Sequence, residues 1–600
     1  MKRLLLLGIL GGLALLTAVA LVVSLAWNSA PVDKSAAADH VRHGIALMQE
    51  HLYHAAISEF EAATRKSPKS LDSWVGLAAV YIRLGNGPKA LEGAGKAVSI
   101  AKDSSDIQLI LGRAHWLSRN LSDAEKAALK VEELDPSNPQ AAELLLHIYF
   151  DRKDAAKFQQ VLDRTENPTR QTQDLAVQFA VRQGQFRHAY ELRNSFDRTN
   201  LESQALRTRL ALKREPGRMD LYPSLIKNLV RLGRAEEAIA ATREYRGTAS
   251  LDLEIAKAHW LAGEREDAVR AYERASSGNT HKLSAEVALA AITGDRRHWI
   301  EAFRAEWVEK DYFVLAQLES LIETAPALDK ALIYRFAGLF DRELLNDAAE
   351  HAVAALREEP DQFEALMTLG TAYSQLGRID DAARYVRQGA DRYPERAEVW
   401  ARLGQLALAK GDSTTAEPLL LKAVLLAPSN ASDLYNYAWL LDQLGRDSEA
   451  VRYYERAIAA SSLSFEAMNN LALIEDNAGR SARALSLLNQ AVAANPENET
   501  AYLNRGNYYV TARSWGNALA DYARAMELNP LNASAAVESA RTHLQLDRVD
   551  IGIQELSGAL DVDPNVPDAY NLLSSAYKEQ GRETEAAAAL EEARRVKVVR

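Results

Sequence analysis

The chain has 600 residues, 82 acidic against 71 basic side chains, a net charge of −11 and no cysteine. The missing thiol excludes disulfides, thiolate zinc sites, iron–sulfur clusters and cysteine nucleophiles. The acidic balance, with a pI near 5.7, opposes binding to the phosphate backbone of a nucleic acid, so no nucleic-acid partner is expected.

Residues 4–27 carry no charge, and at about 1.5 Å per residue such a helix is roughly 36 Å long, enough to cross a hydrocarbon core of about 30 Å. Lys2 and Arg3 precede the run, while Asp33, Lys34 and Asp39 follow it without a comparable positive excess. The positive-inside rule therefore predicts a single-pass anchor, with everything after Trp27 on the far side of the membrane from the cytoplasm. A secretory signal begins in the same way, and Ser24, Leu25 and Ala26 would suit cleavage. The run is nevertheless longer than the usual core of about 7 to 15 residues, which favours retention. Residues 1–27 are read as an anchor or uncleaved signal and 28–36 as a linker. Gly8 and Gly12 form a Gly-x3-Gly face that permits close approach of two helices in lipid, and hence self-association.

Just beyond lie His40, His43, His51 and His54, whose i, i+3 spacing within each pair implies a shared helical face. Metal binding or a pH response would use such a cluster. No carboxylate completes a ligand set at this spacing, so exposed surface histidines are expected.

Residues 37–138 hold three copies of one pattern: Gly44, Ala56, Phe60, Ala63 and Pro68; then Trp74, Leu77, Tyr81, Ala90 and Ala97; then Leu111, Gly112, Ala124 and Pro136. From 139 to 362 the phase slips and degenerate helix pairs are expected. The weakest stretch is 276–330, where Ser276, Ser277, Gly278 and Asn279 read as loop-formers. Trp299, Phe303, Trp307, Tyr312 and Phe313 follow without repeat phase; a hinge or partner surface is one reading, and aromatics facing a core is the favoured one.

Residues 363–600 fall into seven rows of 34 without insertion, starting at Phe363, Ala397, Ala431, Phe465, Glu499, Ala533 and Pro567. Three columns hold only small residues. The eighth reads Gly370, Gly404, Ala438, Ala472, Gly506, Ala540, Ser574; the twentieth includes Ala382, Ala416, Ala450 and Gly552; the twenty-seventh includes Gly389, Ala457 and Ala593. Short side chains mark where two antiparallel helices approach closely. Aromatic and aliphatic residues such as Trp400, Tyr502, Tyr570, Leu403, Tyr454 and Tyr522 fill the columns between. Pro394, Pro428, Pro496, Pro530 and Pro564 close five rows at position 32, where a residue lacking an amide hydrogen ends one helix pair. The final helix, with Glu583, Glu585, Glu591, Glu592, Arg594 and Arg595, is expected to end the array as a polar cap.

This period and these columns resemble the tetratricopeptide repeat, with its signature W-x2-L-G-x2-Y, A-x3-F and P. The resemblance implies an all-α fold, a transmembrane helix followed by an α-solenoid, in which helix A of each repeat lines a concave surface. In that family positions 2, 5, 6, 9, 12 and 13 of helix A meet protein partners. Position 6 gives Asn436, Asn470 and Asn504, a row that resembles the asparagine ladder of the O-linked N-acetylglucosamine transferase superhelix, where amides grip a peptide backbone. A carboxamide both donates and accepts, so it can read an extended main chain of any sequence; local satisfaction of backbone groups is the competing role. Tyr435, Trp439, Asn469, Asp476, Asn507 and Asn571 complete the expected groove. A carboxylate clamp is not expected, for want of lysines and arginines at these columns.

No phosphate loop, dinucleotide fingerprint, His-Glu-x2-His or nucleophile elbow is present, and Asp561 to Pro564 reads as a turn between repeats. No enzyme activity, cofactor or metal is expected. The layout resembles periplasmic tetratricopeptide scaffolds of bacterial inner-membrane complexes for exopolysaccharide synthesis and export, which implies protein partners on the concave surface. The alternative is a chaperone-like holder of secreted clients, as in cytochrome c maturation.

Overall fold

A computed structural model describes residues 36–599 apart from 166–167, 247–250, 278–280, 303–309, 462–463 and 497. The expected membrane run at 4–27 with Gly8 and Gly12, and also Gly278, Asn279, Phe303 and Trp307, lie outside the described residues. Those described form 33 α-helices and one short 3-10 helix, Met219–Leu221, with no strand. None of these helices is long and apolar enough to cross a membrane.

Helix A of the seven rows begins at Phe363, Ala397, Ala431, Phe465, Glu499, Ala533 and Pro567, and helix B at Ile379, Ser413, Asp447, Ser481, Trp515, Val549 and Glu583. The starts have a local cause. Asn430, Asn498 and Asn532 precede helix A in three rows, and their side chains accept the amides of Asp433, Ala501 and Ala535 at 3.0, 2.8 and 3.1 Å, satisfying donors the first turn leaves open. The turn from helix A to helix B needs a left-handed residue. Gly377, Gly411, Gly445, Gly479 and Gly581 supply it at φ between 71° and 82°, while Arg513 and Asp547 adopt it in the other two rows.

The small eighth column faces a large residue at position 24 of the same row. A Cβ added at Gly370, Gly404 or Gly506 would lie 2.4 Å from Val386, 2.6 Å from Leu420 or 2.5 Å from Tyr522, inside van der Waals contact. Ala382, Ala416, Ala450 and Ala484 of the twentieth column are fully buried.

The chain divides into two compact units, one made of Met1–Gln171 with Asn495–Arg600, the other of Thr172–Ala494. In the first, the beginning and end of the array share one hydrophobic cluster. Leu52, Tyr53, Phe60 and Val80 pack in it with Leu556, Tyr570, Leu573 and Tyr577. Polar groups seal the same junction. Arg83 reaches the Asp561 carboxylate at 2.7 Å, Arg582 and Tyr577 both donate to Glu50, and the Tyr570 hydroxyl donates to the carbonyl of His51.

This junction corrects two expectations. The last helix, Glu583–Val599, is no free polar cap, because Glu592 is only 2% exposed and accepts from the His54 amide and, at 2.6 Å, from its Nδ1. Nor are the four histidines a set of exposed side chains. The first helix ends at Gln49 and His51 sits in the left-handed region at φ 59°, so the second pair spans a turn and shares no helical face. His51 is 3% exposed, and burial, offset in part by Asp561 and reinforced by Arg83, pushes its pKa down to about 4. His40 and His43 do share a face, and both meet one carboxylate, Glu59, at 2.5 and 3.2 Å. Asp561 lies in the helix Val549–Val562 and Asp563 follows it, its carboxylate accepting the Asn565 amide at 2.8 Å.

In the second unit the described residues of the irregular stretch are largely helical, in Lys282–Thr293, Arg297–Ala302 and Tyr312–Ile322. Ser276 and Ser277 end the helix Arg265–Ser277 rather than starting a loop. Trp299 and Phe313 are buried, and Trp299 joins Leu315, Leu332 and Phe336 in the unit's core cluster.

Candidate functional site

Within the second unit, helix A of successive repeats opens a groove of about 290 Å³. Its lining follows the repeat columns. Glu364, Glu398 and Ser432 come from position 2, Met367 and Ala401 from position 5, Arg402 and Asn436 from position 6, and Gln405 from position 9. Leu332 and Arg335, from the helix Ala327–Ala337, and Trp299 close it on the side of the irregular repeats.

The groove is mixed in character. Trp299, Leu332, Phe363 and Met367 provide apolar wall, and Asn430, Asn436 and Gln405 provide carboxamides. Arg396 stacks on the Phe363 ring with its guanidinium carbon 3.7 Å from the centroid and reaches Glu398 at 3.3 Å. Arg335 and Arg402 keep part of their surface open to solvent. Even so, burial of the Arg335 guanidinium, with the like charge of Arg402 beside it, pushes its pKa down to about 9. Burial likewise lowers Arg402, whose Nη2 donates to the Thr371 hydroxyl at 3.3 Å. Asp433 is raised to about 7 by desolvation and by the charge of Glu398.

The residues expected from the asparagine row have divergent surroundings. Asn436 lines the groove. Asn470 is half-buried and donates to the Tyr454 hydroxyl at 3.2 Å, while the Tyr435 ring lies 6.1 Å from that of Tyr454. Asn469 is buried, at 3% exposed, Asp476 accepts from Ser481 at 3.2 Å, and Trp439 is half-buried. In the first unit, Asn504 is half-buried and Asn571 exposed, and Asn507 accepts the Tyr522 hydroxyl at 2.8 Å. Asn470 and Asn507 thus each hold a core tyrosine hydroxyl. Arg402 corrects the expectation that these columns lack arginine, since it stands in the same sixth column as the asparagines, whereas Arg335 falls outside the regular rows.

A stack of helix pairs with a concave, side-chain-lined groove defines a helical-repeat binding protein. Residues 41–107, 367–433, 435–499, 469–533 and 537–596 match the tetratricopeptide repeat family, and over these segments the chain is a tetratricopeptide-repeat protein. The BBS4 homolog of Drosophila melanogaster, a BBSome complex member, is 24% identical over 336 residues, which span 52% of this chain and 63% of that protein. Among solved structures, the Cut9-Hcn1 hetero-tetramer of the APC/C is similar at 15% identity over 84% of this chain and 96% of that one, with a TM-score of 0.37. YrrB, a tetratricopeptide protein with an unusual peptide-binding site, is similar at 20% identity over 31% of this chain and 96% of its own, with a TM-score of 0.26.

Proposed function

We propose that the chain is a non-catalytic scaffold of the bacterial inner membrane, its repeats facing the periplasm and holding a protein component of an envelope polysaccharide assembly in an extended form. The groove along helix A of the second unit carries this reading: it combines apolar wall with carboxamides on a surface preformed by repeat packing, which keeps the ordering cost of binding low. The uncharged run at 4–27 behind Lys2 and Arg3 supports the topology. The match to a repeat family that assembles proteins supports the scaffold role.

A photo-crosslinking residue in place of Gln405 in the groove, compared with one at the exposed Arg452 on helix B, tests the binding surface. A covalent adduct with one envelope protein from Gln405 and not from Arg452 is expected; equal adducts from both, or none from Gln405, would overturn the reading. Alkaline phosphatase fused after Arg600 tests the topology, and an inactive fusion would remove the periplasmic placement.

A further inference from the structure

We infer that His40, His43 and Glu59, in the first unit, form a binding site for a divalent transition-metal ion, with zinc well suited to their donor atoms. The spacing of the histidines gave the pair no carboxylate within its own helix. The next helix brings one to it.

His40 and His43 lie one turn apart on the helix Ala36–Gln49, and Glu59 stands on the helix Tyr53–Lys66. Residues at i and i+3 are neighbours on a helix surface, so both rings can turn toward one point. That point is the Glu59 carboxylate: His40 Nδ1 lies 2.5 Å from one of its oxygens and His43 Nδ1 3.2 Å from the other. Ligand atoms about 2.0 to 2.2 Å from zinc stand roughly 3.3 Å apart in a tetrahedral shell, and both nitrogen–oxygen separations are of that order. The three side chains are 28%, 48% and 24% exposed. An ion can therefore enter, the rings can rotate to close their nitrogens on it, and water can take the fourth position.

The charges around the three groups favour a cation. Among the described residues Glu59 pairs with the two imidazoles and with no lysine or arginine, and Arg42 of the first helix reaches Asp39. Two neutral rings and one carboxylate carry a single negative charge, and each neutral ring offers one lone pair. Imidazole with carboxylate suits zinc, copper or nickel, whereas calcium and magnesium prefer oxygen shells. A second cluster, His259, Glu264 and Asp267, also brings ligand atoms within 4.8 Å of one another, but Arg270 already holds Asp267 at 2.7 Å. An ion bridging the first two helices would fix the turn between them, whose Glu50, His51 and His54 meet the last repeat. A trio joined by hydrogen bonds alone is the competing account, and it retains no metal.

The test uses the full chain in detergent micelles, stripped of metal with a chelator and dialysed, and zinc ion alone as the probe. Zinc is titrated by calorimetry and in competition with a chromophoric chelator. One ion per chain is expected at this site, held at least about tenfold more weakly in His40→Gln, in His43→Gln and in Glu59→Gln. His259→Gln, in the second cluster, is expected to leave that ion in place. Zinc should also raise the thermal midpoint of the unaltered chain and not that of a chain carrying all three changes, because an ion that binds only the folded state stabilises it. No zinc bound, or an affinity unchanged in all three single variants, would overturn the site. Binding lost in His259→Gln and kept in the other three would overturn it too, and would move the metal to the second cluster. Binding weakened in the two histidine variants but not in Glu59→Gln would overturn the three-ligand set and leave an adventitious histidine pair only. Should a histidine variant lose helicity, Glu59→Gln decides, because it keeps the size of the side chain and removes its charge.

Discussion

Both units hold buried ion pairs, among them Arg83 with Asp561 in the first and Lys257 with Asp311 in the second, but the groove of the second also brings two like charges together. At the junction of the first, opposite charges meet: Arg83 with Asp561, Arg582 with Glu50, His54 with Glu592. In the groove of the second, Arg335 and Arg402 line one open space, where burial lowers the pKa of both and the charge of Arg402 lowers that of Arg335 further. Paired buried charge fixes packing, because removing one partner strands the other. Like charges brought together in a partly buried groove work against folding there.

Breaking the junction is expected to have the largest effect. Glu592→Ala leaves the His54 amide and ring without their buried acceptor, which should cost about 2 to 3 kcal/mol; an unfolding midpoint unmoved in denaturant would show that the ends of the array do not depend on this contact. Overpacking a repeat comes next. Ala450 is fully buried at the close approach of helix A and helix B, so Ala450→Leu should cost about 1 to 3 kcal/mol, and an unchanged thermal midpoint would contradict the row register.

Asp433 sharpens the contrast through pH. It is 6% exposed and its folded-state pKa is raised from 3.8 to about 7, so the folded protein holds a proton that the unfolded chain releases from about pH 4 upward. Stability should therefore be greatest below that point and fall as pH rises toward 7. Asp433→Asn is expected to raise the melting temperature at pH 8 and leave it unchanged at pH 4; a lower value at pH 8 would reverse the sign of the account. The smallest effect on folding belongs to Asn436, Asn470 and Asn504 changed together to Ala. Only Asn470 holds a core hydroxyl, so the total cost should stay near about 1 kcal/mol, while recovery of partners from envelope extracts drops. Recovery equal to that of the unaltered chain would show that these amides serve local structure alone.

The rows were legible because their contacts are local: a small residue at the eighth position and a large one at the twenty-fourth, Gly404 and Leu420 in one row, recur in every row, and a period survives in the sequence. The junction left no such trace. Glu50 and Arg582 are separated by 532 positions, and nothing in the spacing of either one announces the other. His51 and His54 misled for a related reason, since an i, i+3 rule presumes a continuous helix and the chain turns between them. In the groove, the concave columns were readable, but Arg402 occurs once in its column and so sets up no period. Arg335 had no column to reveal it.

The most direct test compares Arg83→Gln with Arg402→Gln in side-by-side thermal unfolding of the full chain. Arg83 is paired at the junction, so its loss should lower the melting temperature by roughly 5 °C or more. Arg402 faces the groove beside Arg335, and its loss should leave the midpoint unchanged or raise it. A fall of similar size in both variants would contradict the claim that the ion pair at the junction holds the fold while the groove arginine does not.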